Sequence, residues 1–354
     1  MKNFFLTVLA FFCLWSCKTV NYGNKKSINA TFQSVQIDTL FQDKISIRAI
    51  AIDKNIVWYA ADNSRFGFFD LEKNKKTEST IGNDKSKAEF RSIAQTTNNI
   101  FILNVSNPAL LYKIPKDGSK AKLVYQENNE KVFYDSMQFW NDSEGIAIGD
   151  PLSNCFNILT TRDGGNSWIK IVCDKLPQLS EGEAAFAASN TNIVVKGNRT
   201  WIVSGGKEAR VFYSPNKGNS WEVFETPIIQ GKTMTGIFTA DFYDSQNGFI
   251  AGGNYELLNQ NFGNKASTED GGKTWNLRAE NQGFGYASCV QYVPGSKSKA
   301  LVVVGATGLF YSGDRGNTWK QLSNDSSLFT IRFIDNYTAI AAGKNKMVRI
   351  VFKK

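Results

Sequence analysis

Among the 354 residues there is no histidine. That absence excludes Ser-His-Asp and Cys-His nucleophilic sites and histidine-bearing zinc centres, and removes the side chain most used for proton transfer near neutral pH. Proline is scarce, at seven residues, and no long apolar segment of helical period is present, so helix is expected to be minor. No arginine-rich or aromatic-basic run of the kind that grips nucleic acid occurs, and nucleic acid is set aside as a partner. The one continuous apolar stretch, Phe4 to Trp15, is too short to span a bilayer as a helix.

What the chain does have is glycine, 29 residues, and aromatics, 13%, a composition suited to many short strands joined by tight turns. Its 41 lysines and arginines against 32 aspartates and glutamates give a net charge of +9, which favours acidic partners or anionic surfaces but equally suits a solvated basic exterior. The apolar stretch follows Lys2 and ends in Leu14-Trp15-Ser16-Cys17, which resembles a bacterial lipobox. Residues 1–16 are therefore expected to be a lipoprotein signal peptide, 17–30 the lipidated Cys17 and a polar tether, and 31–354 a single folded domain. Acyl chains on Cys17 would hold the protein at a membrane, each buried methylene contributing about 0.8 kcal/mol. Lys18 has no acidic neighbour of the kind that argues for surface export, so the expected address is the cell envelope, on the periplasmic side of the outer membrane.

One skeleton is written four times: "TTRDGGNSW" from 160, "YSPNKGNSW" from 213, "STEDGGKTW" from 267 and "YSGDRGNTW" from 311. Each places Asp163, Asn216, Asp270 or Asp314 two residues before Gly165, Gly218, Gly272 or Gly316, and a tryptophan, Trp168, Trp221, Trp275 or Trp319, three residues later. A short acidic side chain accepts turn amides, glycine takes positive φ and tryptophan buries its ring, so the box is a hairpin staple. The tryptophans stand 53, 54 and 44 residues apart, near the repeat of a four-stranded propeller blade. Unboxed segments share the rhythm, and "FQSVQIDTL" at 32 supplies the strand that the last segment lacks. The expected fold is all-β: a seven-bladed β-propeller of four-stranded antiparallel blades, closed by pairing of the N- and C-terminal strands.

The four boxes resemble the Asp boxes, or BNR repeats, of sialidases, sortilin-type receptors, xyloglucan-degrading enzymes and the photosystem II assembly/stability factor family. Strings such as "GIAIGDP", "EGEAAFAASNTNIVVKG" and "SGGKEARVFYS" are similar to a bacterial group related to that assembly factor, whose members often carry the label oxidoreductase. The resemblance implies a propeller and says little about activity. Sialidase chemistry is not expected, because no Arg-Ile-Pro segment or arginine triad is found. The string "VVVGATG" at 302 runs into a boxed hairpin, leaving no room for the helix that a dinucleotide loop must open. No cofactor and no metal are expected.

Cys155 and Cys173 lie symmetrically about Gly164, opposite each other in a hairpin centred there, and are expected to form a disulfide. Cys289 is expected to be buried. If each box joins the third and fourth strands, the turns at the other end gather Asp62, Asp150, Lys207, Asn254, Tyr255 and Lys344, with Glu181, Glu183, Lys232 and Tyr286 from the connections between blades. Arg210 follows Lys207 closely. Asp150, Glu183 and Arg210 lead this set as a prospective ion-pair cluster. The expected function is binding of a macromolecular partner, a protein or envelope complex, by a membrane-tethered lipoprotein. A glycosidase-like enzyme built on a carboxylate pair is the alternative, with a glycan as its partner.

Overall fold

The computed structural model describes residues 31–82 and 87–354, so the signal peptide and Cys17 expectations lie outside the described residues. Antiparallel strands build the described domain, with one 3-10 turn at Cys173–Lys175. They form four sheets of four strands and two of six. The architecture is that of an all-β propeller, with successive sheets packed face to face. Core clusters form where neighbouring sheets meet: Phe101, Leu103 and Leu111 of one face Tyr134, Met137, Ala147 and Trp168 of the next. The second strand of a sheet is thus covered on both faces. It reads as an unbroken apolar run, as in Ile146-Ala147-Ile148, Trp201-Ile202-Val203 and Leu301 to Val304.

There are six sheets, not the seven expected, and the difference lies at the ends of the chain. Strand Ser34–Asp53 runs unbroken for 20 residues. Its residues 47–53 pair with Ile56–Ala61, and its residues 34–42 pair with Thr338–Lys353, Ser34 opposite Lys353. Thr338–Lys353 pairs in turn with Leu328–Phe333. The two stretches expected as separate units are therefore one continuous six-stranded sheet, order set by two long strands rather than by hairpins.

Each box joins the last two strands of its sheet and is closed by the same set of bonds. Asp270 Oδ1 accepts the amides of Lys273 and Thr274, both at 3.0 Å, while Oδ2 accepts the Thr274 hydroxyl at 2.7 Å. Thr268 Oγ1 donates to Asp270 at 2.7 Å and accepts the Gly272 amide at 3.0 Å. Asp163 and Asp314 repeat the pattern. In the second box Asn216 keeps it by using both ends of its amide: Oδ1 accepts the Ser220 N–H at 2.9 Å and Nδ2 donates to Ser220 Oγ at 2.9 Å.

The boxes do more than staple their own hairpins. Each box glycine has positive φ, and Gly165, Gly272 and Gly316 each face a large ring of the preceding sheet, whereas Gly218 has its own Trp221 nearest, at 3.4 Å. A Cβ on Gly165 would stand 2.2 Å from Phe101 Cε1, and one on Gly316 2.5 Å from Phe249 Cε2. Gly272 meets Trp201, which is fully buried, donates its indole N–H to Gly271 O at 2.7 Å and stacks on Phe242 with centroids 3.9 Å apart. Trp168 and Trp319 lie edge-on to the same neighbouring rings, Phe101 and Phe249, while Trp275 lies edge-on to Phe242 of its own sheet. The indole N–H groups of Trp221, Trp275 and Trp319 return to their own turns, Trp275 to Gly272 O at 2.9 Å and Trp319 to Gly316 O at 3.0 Å.

Partial burial pushes the Asp270 carboxyl up, but the Thr274 hydroxyl and amide, the Thr268 hydroxyl and the Lys273 amide outweigh it and leave it at about 2. A carboxyl depressed on folding contributes stability above its unfolded pKa, about 3.9, and loses it as pH falls through the folded value. Thermal unfolding between pH 4.5 and 2 (approximate limits from that window) is therefore expected to be less acid-sensitive in Asp270→Asn and more so in Asn216→Asp. Identical acid slopes in both variants and the parent would remove the charge-assisted role of the box.

Candidate functional site

Because strands alternate in direction, the end of each second strand and the start of each inner strand lie at the end of the sheet away from the box. There a basin of about 380 Å³ opens. It is lined by Arg48 and Arg91 from inner strands, Asp150 and Tyr255 after second strands, and Phe186, Met234, Phe238 and Tyr286. Phe186 stacks on Phe238 with centroids 3.9 Å apart, and Tyr286 stands edge-on to both Phe238 and Tyr255. The aromatic floor continues outward along the turn after Gly248–Asn254, where Tyr255, Leu257, Leu258 and Phe262 are all exposed.

The floor belongs to a segment that crosses the axis. Residues 183–192, within the string "EGEAAFAASNTN", pass from an added edge strand to the inner strand Ile193–Lys196. On the way they bond to six other strands. Ala188 O accepts from Arg48 at 3.2 Å, and Ser189 Oγ donates to Ser288 O at 2.6 Å. Ser189 O accepts from the Thr330 hydroxyl at 3.5 Å, and Thr191 Oγ1 meets Thr239 Oγ1 at 2.8 Å. Asn190 spans two strands alone, donating to Ile93 O at 2.7 Å and accepting the Met137 N–H at 3.0 Å. The segment is a plug between two mouths of the axis.

This plug explains where the sequence-predicted residues go. Glu183 is 1% exposed and anchors the plug. It accepts from Arg210 Nε at 3.1 Å and from Nη2, from the Ser204 hydroxyl at 2.6 Å and from the Ser180 amide at 3.0 Å. The Glu183–Arg210 pair forms, but inside the fold, with side-chain exposures of 0% and 13%. Asp150 is not part of that pair; its Oδ1 accepts the Ala185 N–H at 3.0 Å, holding the plug from the basin side. Asn254 is buried and caps its own turn through the Glu256 amide. Lys207 and Glu181 are exposed beside the anchor and do not line the basin. Of the sequence-predicted residues, the basin gathers Asp150, Tyr255 and Tyr286.

Sequence reasoning missed Arg48, Arg91, Phe186 and Phe238. The first two had a signal: each is a single cation set in an apolar run, in "SIRAIAI" and "FRSIAQ". Arg91 pairs with Glu89 at 2.6 Å. Arg48 stacks over the Phe329 ring at 4.2 Å, and its buried Nε has no hydrogen-bond partner among the described residues.

Cys155 and Cys173 are joined, with sulfurs 2.08 Å and Cα atoms 5.7 Å apart, and Cys289 is a buried free thiol. The string at 302–308 forms a hairpin in which Gly305 pairs with Gly308. Among the described residues no group of three or more His, Cys, Asp or Glu side chains forms a metal cluster.

Two carboxyls near the basin are perturbed. Burial raises Asp150 to about 6, against the bond from the Ala185 amide. Asp135, fully buried with neither oxygen bonded among the described residues, is raised first by burial and then by the Asp150 charge, against the pull of Arg91.

No protein-family model matches the chain, and no curated protein matches it either. Solved structures do. The chain is similar to one described as YCF48 bound to D1 peptide, at 14% identity and a TM-score of 0.66, covering 92% of this chain and 99% of that one. YCF48 from Cyanidioschyzon merolae gives 10% identity and 0.63, covering 90% and 98%. The GH74 xyloglucanase from Xanthomonas campestris gives 10% and 0.65, with 89% of this chain covered but 53% of that chain. At such identities the likeness establishes the propeller fold.

A carboxyl raised on folding gives stability that is fully present below its unfolded pKa and is lost as pH rises through the folded value. Asp150→Asn is accordingly expected to melt progressively higher relative to the parent as pH goes from 4 to 7 (approximate range from that window). A constant difference across that range would show that the Asp150 carboxyl is not desolvated.

Proposed function

We propose that this chain binds a segment of another protein in the aromatic basin opposite the boxed turns, apolar side chains meeting Phe186, Phe238 and Tyr255 and a carboxylate meeting Arg48. The observation that carries the reading is the Arg48 guanidinium at the basin wall, whose Nε–H has no partner among the described residues, so the protein leaves this buried charge incompletely satisfied. The exposed Tyr255, Leu257, Leu258 and Phe262 extend the surface outward, as the apolar centre of a protein contact requires. The similar structure of YCF48 contains a D1 peptide, which supports a peptide ligand by analogy of fold.

The enzyme alternative has less behind it. Glu183 is consumed by Arg210, and Asp135 is sealed from solvent, so Asp150 is the one carboxylate of these that lines the basin. The boxes are read as Asp-box repeats, their bond pattern being common to all four turns, and pairing of Ser34–Asp53 with Thr338–Lys353 is read as closing the ring. The Leu-Trp-Ser-Cys sequence supports a lipid on Cys17 and an address on the periplasmic side of the outer membrane.

A photocrosslinking residue at Tyr255, used in native envelopes beside a control at Asn317 in a boxed turn, is expected to capture one protein from Tyr255 alone and to lose it when Arg48→Ala is added. Hydrolysis of a glycoside panel that disappears in Asp150→Asn would instead establish the enzyme. Cys17→Ala should move the protein from the membrane fraction to the soluble one; retention in the membrane rules out the tether.

A further inference from the structure

Below the plug, on the side of the boxed turns, the axis opens into a second cavity of about 720 Å³, within the size range of small-molecule sites. Its chemistry differs from that of the basin. Asn190 of the plug contributes to its lining, and Gln138, Lys196, Asp241, Gln291 and Arg332 converge from the ends of inner strands.

Much of this hydrogen-bonding capacity is unused. Among the described residues the Gln138 amide and the Lys196 ammonium make no hydrogen bond. Gln291 spends Nε2 on Val290 O at 3.1 Å and keeps its carbonyl oxygen. Asp241 Oδ2 accepts the Tyr292 N–H at 2.7 Å, and the half-buried carboxylate keeps acceptor capacity toward the cup. An anion is a poor fit. The Arg332 guanidinium already donates to Ile331 O at 2.8 Å, Thr330 Oγ1 at 3.1 Å and Ser189 O at 3.2 Å, and the Asp241 carboxyl shares the cup. A ligand that offers donors and acceptors side by side, without charge, suits two amides, a carboxylate and an ammonium set around one opening. Phe139, Tyr243 and Phe333 add aromatic surface to the wall, which a ring with an apolar C–H face can cover.

We infer that this cup is a binding site for a neutral saccharide unit, recognised by Gln138, Asp241 and Gln291. It is independent of the protein-binding basin, from which the plug separates it.

The test is calorimetric titration of the purified protein with cellobiose, maltose and N,N′-diacetylchitobiose, with saturation-transfer NMR to identify the sugar protons that contact it. At least one disaccharide is expected to bind. Gln138→Ala and Asp241→Asn should each weaken it about ten-fold or more, roughly 1.4 kcal/mol. Neither change endangers the fold: Gln138 makes no side-chain bond to lose, and asparagine can still accept the Tyr292 N–H. Equal melting temperatures check this. Tyr255→Ala, in the opposite basin, should leave the affinity unchanged. The inference is overturned if none of the three sugars binds at millimolar concentration, if both cup variants bind like the parent, or if Tyr255→Ala alone abolishes binding.

Discussion

The contact between a boxed turn and the sheet before it is the constraint on which the rest of the structure depends. A propeller has no layer above or below its sheets; each is held by its two neighbours. Gly165 against Phe101, Gly272 against Trp201 and Gly316 against Phe249 put a backbone without a side chain against a large buried ring. The glycine is required twice, by its positive φ and by the ring that fills the space of its Cβ. The aspartate holds the turn in shape, and Trp168 and Trp319 lie edge-on to the same neighbouring rings, Phe101 and Phe249. Local hydrogen bonding and packing between sheets thereby become one device, written in nine residues.

With the rim fixed in this way, the axis is free to carry something else. Residues 183–192 fill it, and the side chains that looked functional in the sequence, Glu183 and Arg210, hold that filling in place. A buried carboxylate with four hydrogen bonds has no capacity left for a ligand. The plug splits the axis into two unlike mouths. One is aromatic with a buried unpartnered arginine nitrogen; the other is lined by amides around a half-buried aspartate. Two mouths of different chemistry in one fold follow from the plug rather than from the sheets.

The fold was legible because its signals are local. Box spacing and apolar runs of four or five residues ending in glycine mark hairpins without any knowledge of tertiary contacts. The sheet count was not legible: whether Ser34–Asp53 breaks near residue 44 or runs on depends on pairing with a strand 300 residues away in the chain, roughly, and such loop closure leaves no local mark. The site was half legible. Asp150 and Tyr255 follow from counting turns, and Arg48 and Arg91 could have been found as lone cations in inner strands. Glu183 misled because a charge beside glycines reads as a surface loop, whereas here the chain dives across the axis and takes Arg210 with it.

A double-mutant cycle between Gly316 and Phe249 tests the interlocking of box and neighbouring sheet most directly. Gly316→Ala alone meets the Phe249 ring and should destabilise by about 1 to 3 kcal/mol. In a Phe249→Leu background, where the ring is gone, the same change should cost at least about 1 kcal/mol less, beyond the scatter of additive pairs. Simple additivity of the two changes would mean that the boxes close their own hairpins and leave the packing of sheets to other contacts.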